Sequence, residues 1–502
     1  MKYLFWKCRR QLKCAILFLI RQRWRKRMYE KSRLHPISIF YNVLKSLKEL
    51  IFPFIGIILV GGNPTQWEWF TYLIVSIILL ALILGGLLSW YYFSYYVKDR
   101  ELRIEHGVFV KKKRYIPFER IQSMDFTEGI LHRPFRLVKV KIETAGGAGE
   151  SEAEFSAISQ VQARELKEYI ASNKNLTIEE EEDLQKDKEK EVIYQISTKQ
   201  LLALAATSGG IGVIISAGIA FASQFEEFIP YKLIFSHLRA FVSNGIAIIS
   251  LVVFLILLLL WACSLLITLL KYANFTLSRT DEDILITRGL LEKKQITIPI
   301  ERIQAVKITE SVLRQPFKLA SLSFISAGGS LTDMEAATVV AIPLARKSVL
   351  RDICQRIMPD YELYDTMTPP PKRALWRYIV KDSWLAIPIS ALLIYFFHGW
   401  GLLSLLLFIL LPLWGYIKFR TAGYHLSVKQ LTLVFRLIDK TTLLMRRNRI
   451  QSLYSSEGPW QRKGNLGSIY GEVASGIGGA SGAVKELELK DVQRIYEWYS
   501  IK

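Results

Sequence analysis

"PFERIQSM" at Pro117–Met124 and "PIERIQAV" at Pro299–Val306 say nearly the same thing 182 residues apart. From the arginine of each phrase, the first copy reaches Pro134 of "HRPFRL" after 14 residues and Ala145 of "AGG" after 25. The second copy runs from Arg302 to Pro316 of "RQPFKL" and Ala327 of "AGG" at the same two offsets. Two anchors at equal spacing mark an internal repeat. A third copy, "NRIQSLYSSEGPWQRKGNLGSIYGEVASG", keeps the spacing with Arg449, Lys463 and Ala474, although Asn448 replaces the glutamate, Lys463 the proline and Ser475 the middle glycine.

Each copy follows a pair of apolar blocks. The chain has 502 residues, 51% hydrophobic and 22% charged, with a mean hydropathy of +0.22, so apolar and charged residues must be segregated along it. The blocks are Ile37–Val60 with Phe70–Val97, Leu201–Phe221 with Phe241–Leu270, and Trp384–Phe397 with Leu402–Ile417. Crossing a bilayer core takes roughly 20 apolar residues as helix, and the blocks predict about six spans. Lys45, Lys48 and Glu49 interrupt the first block, which therefore reads as crossing, as lying at the interface or as facing a protein partner. The third pair, with Pro388 and Pro412 inside it, reads as a helical hairpin turning at "HGW".

Charge gives the orientation. The turns "GGNPTQWEWF", "ASQFEEFIPYKLIFSHLRA" and "HGW" hold only Lys232 and Arg239, whereas the amino end and the long segments after each pair are rich in Lys and Arg. The positive-inside rule then places both termini and all three long segments in the cytoplasm. Of the net charge of +21, residues 1–33 supply +11, from twelve Lys or Arg against Glu30. Beside a membrane, such a segment reads as a contact for anionic phospholipid rather than nucleic acid. Its short run "CAILFLI" reads as an amphipathic anchor or as part of an added extension, with "RQRWRKR" after it in place of a cleavage site.

The layout predicted from these blocks is a basic segment at 1–35, a membrane pair at 36–97, a first module at 98–174 and a charged linker at 175–198. A second pair at 199–271 and a module at 272–360 follow, then a linker at 361–380, a third pair at 381–418 and a module at 419–502. Stretches such as "LRIEHGVFVKKKRYIPFERIQSMDFTEG" alternate apolar and polar residues as antiparallel strands do, and "ISQVQARELKEYIAS", "LARKSVLRDICQRIM" and "LKDVQRIYEWYS" close the modules with helical periodicity. Each module therefore reads as a small α+β unit of antiparallel sheet with a C-terminal helix, or as a sheet sandwich capped at one end.

Paired spans followed by "PxERIQ", "RPF" and "AGG" resemble the YdbS-like bacterial pleckstrin-homology family. Three copies after an "RLHP" start resemble its YdbT-type, three-module members. The resemblance covers the chain from about Arg33 onward and is most specific in the first two modules. It implies a PH-like fold of two sheets with a helix across one open end. It implies little about activity, because that fold serves lipid binding, peptide binding and scaffolding alike.

Candidate binding residues fall in two groups. Lys111, Lys112, Lys113 and Arg114 form a basic hairpin in the first module; Lys293 and Lys294 hold the matching place in the second, and Arg446 and Arg447 are taken as the third. Family members that bind headgroups commonly use such a hairpin, and lysine and arginine suit phosphate; the plainer reading is a strand edge protected by charge. Arg120, Arg302 and Arg449 of the repeated phrase read either as order for a local turn or as a contact to phosphate or to a partner module. The glycine-rich "AGG" and "GEVASGIGGASGA" have no phosphate-loop spacing and read as tight turns.

Cys8, Cys14, Cys263 and Cys354 are scattered, and the six histidines show no ligand spacing, so no disulfide framework, metal or other cofactor is expected. No nucleophile constellation or carboxylate pair is legible, which makes an enzyme the least supported class. The expectation is a non-enzymatic bacterial plasma-membrane protein. Its modules would act as scaffold or docking units for a related membrane protein or a second copy, in envelope stress or protection against membrane-active antimicrobials. The alternative is a protein that binds or translocates lipid.

Overall fold

The computed structural model describes residues 31–47, 68–108, 110–144, 153–174, 191–208, 246–327, 338–475 and 479–500. The basic segment 1–30, the linker 175–190, most of the first apolar block and the middle of the second pair lie outside them.

Three modules share one plan. The first has strands β1 (Ser94–Lys98), β2 (Glu101–His106) and β3 (Lys112–Pro117) in one sheet, then β4 (Ile121–Glu128), β5 (Leu137–Thr144) and β6 (Ala153–Ser159), and closes with the helix Gln160–Lys174. The second uses β8 (Thr276–Arg279), β9 (Asp283–Arg288) and β10 (Lys293–Pro299), then β11 (Ile303–Glu310), β12 (Leu319–Ser326) and β13 (Thr338–Arg346), with the helix Lys347–Ile357. The third uses β14 (Gly423–Leu426), β15 (Gln430–Arg436) and β16 (Lys440–Arg446), then β17 (Ile450–Ser456), β18 (Leu466–Val473) and β19 (Ala480–Glu488), with the helix Leu489–Ser500. All the pairings are antiparallel, and alternate side chains such as Ile284 and Ile286 of β9 point into the cores.

The sheets do not stop at module boundaries. One sheet runs β6-β5-β4-β10-β9-β8-β7, so the second sheet of module one continues into the first sheet of module two. Another runs β13-β12-β11-β16-β15-β14 and joins module two to module three in the same way. Among the described residues, only the terminal sheets, β1-β2-β3 and β17-β18-β19, are three-stranded. The second and third modules also share apolar cores: Leu444 of β16 packs within the core of module two, and Ala305 and Ile325 of module two pack within that of module three.

The segment before each helix pair returns to its own module. Ser32 bridges Tyr95, β7 (Glu191–Gln195) pairs with β8, and Thr368 bridges Tyr424. The expected linkers 175–198 and 361–380 thus contain structured pieces: their ends satisfy the open backbone edge of the first strand, and Tyr361 is fully buried with its hydroxyl donating to the Gln304 carbonyl.

Three helices among the described residues are long and apolar enough to cross a membrane: Phe254–Tyr272, Lys372–Phe396 and Gly401–Thr421. The count of six spans is therefore shown only in part. The second expected span stops at Tyr92, because Ser94–Lys98 is strand β1, and the fifth begins upstream of Trp384. The start of the first block, Ile37–Leu47, packs against module one. Ser38 is buried, Asn42 Oδ1 accepts from Ser156 Oγ at 3.4 Å, and Tyr41 meets His132 edge-on at 5.4 Å. Lys45 is exposed on this helix, while Lys48 and Glu49 lie outside the described residues.

Local turns explain how the third copy drifted without losing its shape. Arg136, Lys318 and Asn465 adopt left-handed conformations at φ 52, 55 and 47° in matching places after β4, β11 and β17. The "RPF" and "QPF" 3-10 turns before the first two become the short helix Pro459–Lys463 in the third, so the proline moves to the start of that helix while the backbone reversal is kept. Asparagine tolerates that conformation better than most side chains.

Leu444 tests the shared core. Leu444→Ala removes a fully buried side chain of one module from the core of another and is expected to cost about 2–4 kcal/mol. Thermal unfolding of the detergent-solubilised protein, followed by proteolysis, should show modules two and three opening together.

Candidate functional site

The first module junction holds Arg302 of the repeated phrase and the two lysines ahead of it. At the first junction β4 pairs with β10, setting Lys293 opposite Glu128, Lys294 opposite Thr127 and Gln295 opposite Phe126. The Thr297 N–H donates to Asp125 Oδ1 at 3.1 Å. Arg302 spans the boundary: its Nη1 lies 3.3 Å from Glu143 Oε2 and 3.4 Å from Ser123 Oγ, both in module one. Its Nε and Nη2 donate to the Ala327 carbonyl at 3.2 and 2.9 Å. In the second module the spacing of 25 residues has a physical cause, since Arg302 holds the Ala327 carbonyl of its own "AGG". Arg133 adds a bond across the same junction, to the Leu290 carbonyl.

The second junction is more apolar. Six residue pairs join β11 to β16, from Ala305 opposite Met445 to Glu310 opposite Lys440. Glu310 is buried and pairs with Lys347 at 2.7 Å and Lys440 at 3.5 Å. Burial lowers the pKa of Lys440, an effect opposed by Glu310. Gln315 accepts from Arg436 Nη2 at 2.7 Å across the boundary. Where the first junction has Ser123 and Glu143, the second has Ala305 and Ile325, so Arg449 meets no carboxylate at the matching position.

The other predicted site residues fall in three settings. Lys111, Lys112, Lys113 and Arg114 are exposed along the turn and start of β3, the outermost strand of its sheet, and Arg120 is exposed beyond it. Lys293 and Lys294 belong to the first junction. Arg446 pairs with Asp360 at 2.7 Å and Arg447 lies over the Trp498 ring at 5.7 Å. Arg446 and Arg447 are not the third copy of the basic hairpin: Arg446 ends β16 and Arg447 opens the 3-10 turn after it, and the residue that starts the strand, in the place of Lys293, is Lys440. Lysines 111, 293 and 440 each precede the repeat arginine by nine residues, a register visible in the sequence and missed there.

Two further features escaped the sequence reading. Glu128, Glu310 and Glu457 each follow the repeat arginine by eight residues, a spacing that acquires meaning only when strands pair across modules. The turns after β4, β11 and β17 also expose apolar side chains flanked by cations. Ile130, Leu131 and Phe135 lie beside Arg133; Val312, Leu313 and Phe317 beside Arg314; and Trp460 beside Arg462 and Lys463. The first two tips lie against the helices Ile37–Leu47 and Thr198–Thr207. Arg314 Nε donates to Thr207 Oγ1 at 3.0 Å, and an apolar cavity of about 250 Å³ separates the first tip from Ile37 and Phe40. The residues had served as spacing anchors, and exposure cannot be read from spacing.

The first junction carries a titration. Burial pushes the Asp125 carboxyl up to about 7, with Glu143 adding to the rise and the Thr297 N–H opposing it. A carboxyl whose pKa is higher folded than unfolded stabilises the protein in its protonated form, so its contribution is full below about pH 4 and is lost as pH rises through 7. Asp125→Asn keeps an acceptor for Thr297 and removes the charge. Its stability relative to the parent should climb between pH 4 and 7 and level off above, at about 1–3 kcal/mol, as read by thermal unfolding at each pH.

Comparison with known proteins agrees with this architecture. A family model for the bacterial PH domain matches residues 50–174, 234–358 and 383–502. Each match begins ahead of its module and ends at or near the module's terminal helix. The chain is also 34% identical over 487 residues to the transmembrane protein YdbT of Bacillus subtilis (strain 168), covering 94% of this chain and 99% of that one. With three family matches in register with three observed modules, the chain belongs to the bacterial PH domain family, as a transmembrane member of the three-module, YdbT type.

Proposed function

We propose that this is a non-enzymatic membrane scaffold whose three PH-like modules form one rigid, membrane-proximal row for docking other membrane proteins. The observation that supports it best is the continuous pairing of β4 with β10 and β11 with β16. Such pairing fixes the modules to one another rather than leaving each on a separate linker, and a fixed row presents a constant surface. The exposed apolar, cation-flanked tips suit contact with an anionic bilayer surface, apolar side chains entering the interface beside phosphate-binding cations. In this reading both termini and the modules are cytoplasmic, the protein resides in the plasma membrane, and the physiological setting is envelope stress or defence against membrane-active antimicrobials.

Lys111, Lys112, Lys113 and Arg114 keep a lipid-binding reading alive, because they are exposed while their counterpart Lys293 stands in a junction. Native mass spectrometry of the gently extracted protein, beside a variant with these four residues changed to alanine, separates the two. A protein partner retained in both samples with no specific lipid is the expected result. A stoichiometric anionic lipid lost in the variant would overturn the scaffold reading in favour of lipid handling.

Topology is tested independently. A reporter fused within Gly61–Phe70 should read outside the cell, and a cytoplasmic signal there would overturn the orientation.

A further inference from the structure

We propose that the row continues from molecule to molecule. The outer edge of β17 in one copy pairs antiparallel with the outer edge of β3 in a second copy, as β4 pairs with β10 and β11 with β16 inside the chain. The proposal rests on the docking reading above and names the docking edges and their occupant.

Among the described residues, β3 and β17 are the two junction-type strands that no further strand covers. β4 and β11 use their outer edges to bind the next module's third strand; β17 is the same strand of module three, and no described strand covers it. Equally, β10 and β16 are the third strands received by the preceding module, and β3 is the matching strand of module one, which no described strand covers on that side. Edge strands of natural proteins are usually defended by charge or proline. β17, with the sequence "IQSLYSS", has neither, and its outer residues Gln451, Tyr454, Ser455 and Ser456 are exposed.

The side chains at the open ends are those that mate at the closed junctions. Lys293 stands opposite Glu128, and Lys440 opposite Glu310. At the open ends the matching residues are Lys111 and Glu457, both exposed and of opposite charge. The arginine contact is retained too. Ser123 Oγ donates to Glu143 Oε2 at 3.1 Å, and that pair receives Arg302. Ser452 Oγ donates to Glu472 Oε2 at 2.7 Å in the same place of module three. The counterpart of Arg302 at the other open end is Arg120, which is exposed.

The buried junction between modules two and three has lost this polar set, with Ala305 and Ile325 in place of serine and glutamate. The two ends of the chain have kept it. An apolar joint suits permanent contact within a chain, while a charged one suits partners that must remain soluble apart. Because the modules each adjoin their own membrane helices, the step from one to the next is compatible with a membrane plane. Repeating it between chains gives a head-to-tail contact that produces a ring or an open row.

The register predicts which residues touch. Lys113 should stand opposite Ser455, as Gln295 does opposite Phe126 and Thr442 opposite Ile308. Two full-length versions with different tags would be co-produced, one carrying Lys113→Cys and the other Ser455→Cys, each with the four native cysteines changed to alanine. Oxidation of isolated membranes should give a disulfide-linked pair bearing both tags. Arg120→Glu in the first version should weaken cross-linking about tenfold, a difference of about 1.4 kcal/mol, and Glu472→Arg in the second should restore it.

Absence of the cross-link with both versions stably inserted would overturn the proposal, as would a cross-link indifferent to both charge changes. If native mass spectrometry still shows a dimer or a bound partner in that case, the docking reading survives and these edges are the wrong surface. A solitary protein by both measurements would end the docking reading as well.

Discussion

The constraint on which the rest of the structure depends is the obligation of backbone N–H and C=O groups to find partners. A small three-stranded sheet leaves one edge open on each side, and an open edge is a site for further pairing. This chain meets the obligation by using the edges of each module to receive the next. β10 covers β4 and β16 covers β11, while the short bridge or strand preceding each helix pair covers the opposite edge of each first strand. Three PH-like units thereby become one body without any dedicated linker domain.

The repeated phrase is best understood within that body. In its second copy the arginine lies just before the strand that forms the next junction, close to both the Ala327 carbonyl of its own module and the second sheet of the preceding one. Arg302 makes both contacts, so local order and contact with a neighbouring module are one arrangement of one side chain. The two junctions differ in chemistry around the same backbone geometry. The first is polar, with Arg302, Glu143 and the raised Asp125 at its centre, whereas the second fuses two apolar cores through Leu444, Ala305 and Ile325.

The candidate site was legible in part. The basic residues Lys111–Arg114 and the arginines at 120, 302 and 449 were visible as a pattern, yet their settings diverge: one set is open, Lys293, Lys294 and Arg302 stand in a junction, and Arg446 pairs with Asp360. Charge along a sequence does not say which strand edge is covered. The placing of Arg446 and Arg447 as a third hairpin failed because charge was matched in place of register; counting nine residues back from Arg449 gives Lys440. The exposed tips at Ile130, Leu313 and Trp460 were hidden for a different reason, since an apolar residue in a turn reads as core until the turn's direction is known.

By itself the sequence determined the repeat, its threefold count, the α+β character of each unit and the presence of long apolar helices between them. All of these follow from spacing and periodicity, which are local properties of a chain. Only the tertiary structure decided that the sheets run through the module boundaries, that Leu444 belongs to its neighbour's core, and that β3 and β17 are open ends among the described residues. The physical reason is that backbone hydrogen bonding is available to every strand alike, so which edges meet is set by how the folded modules are stacked rather than by any residue within one of them.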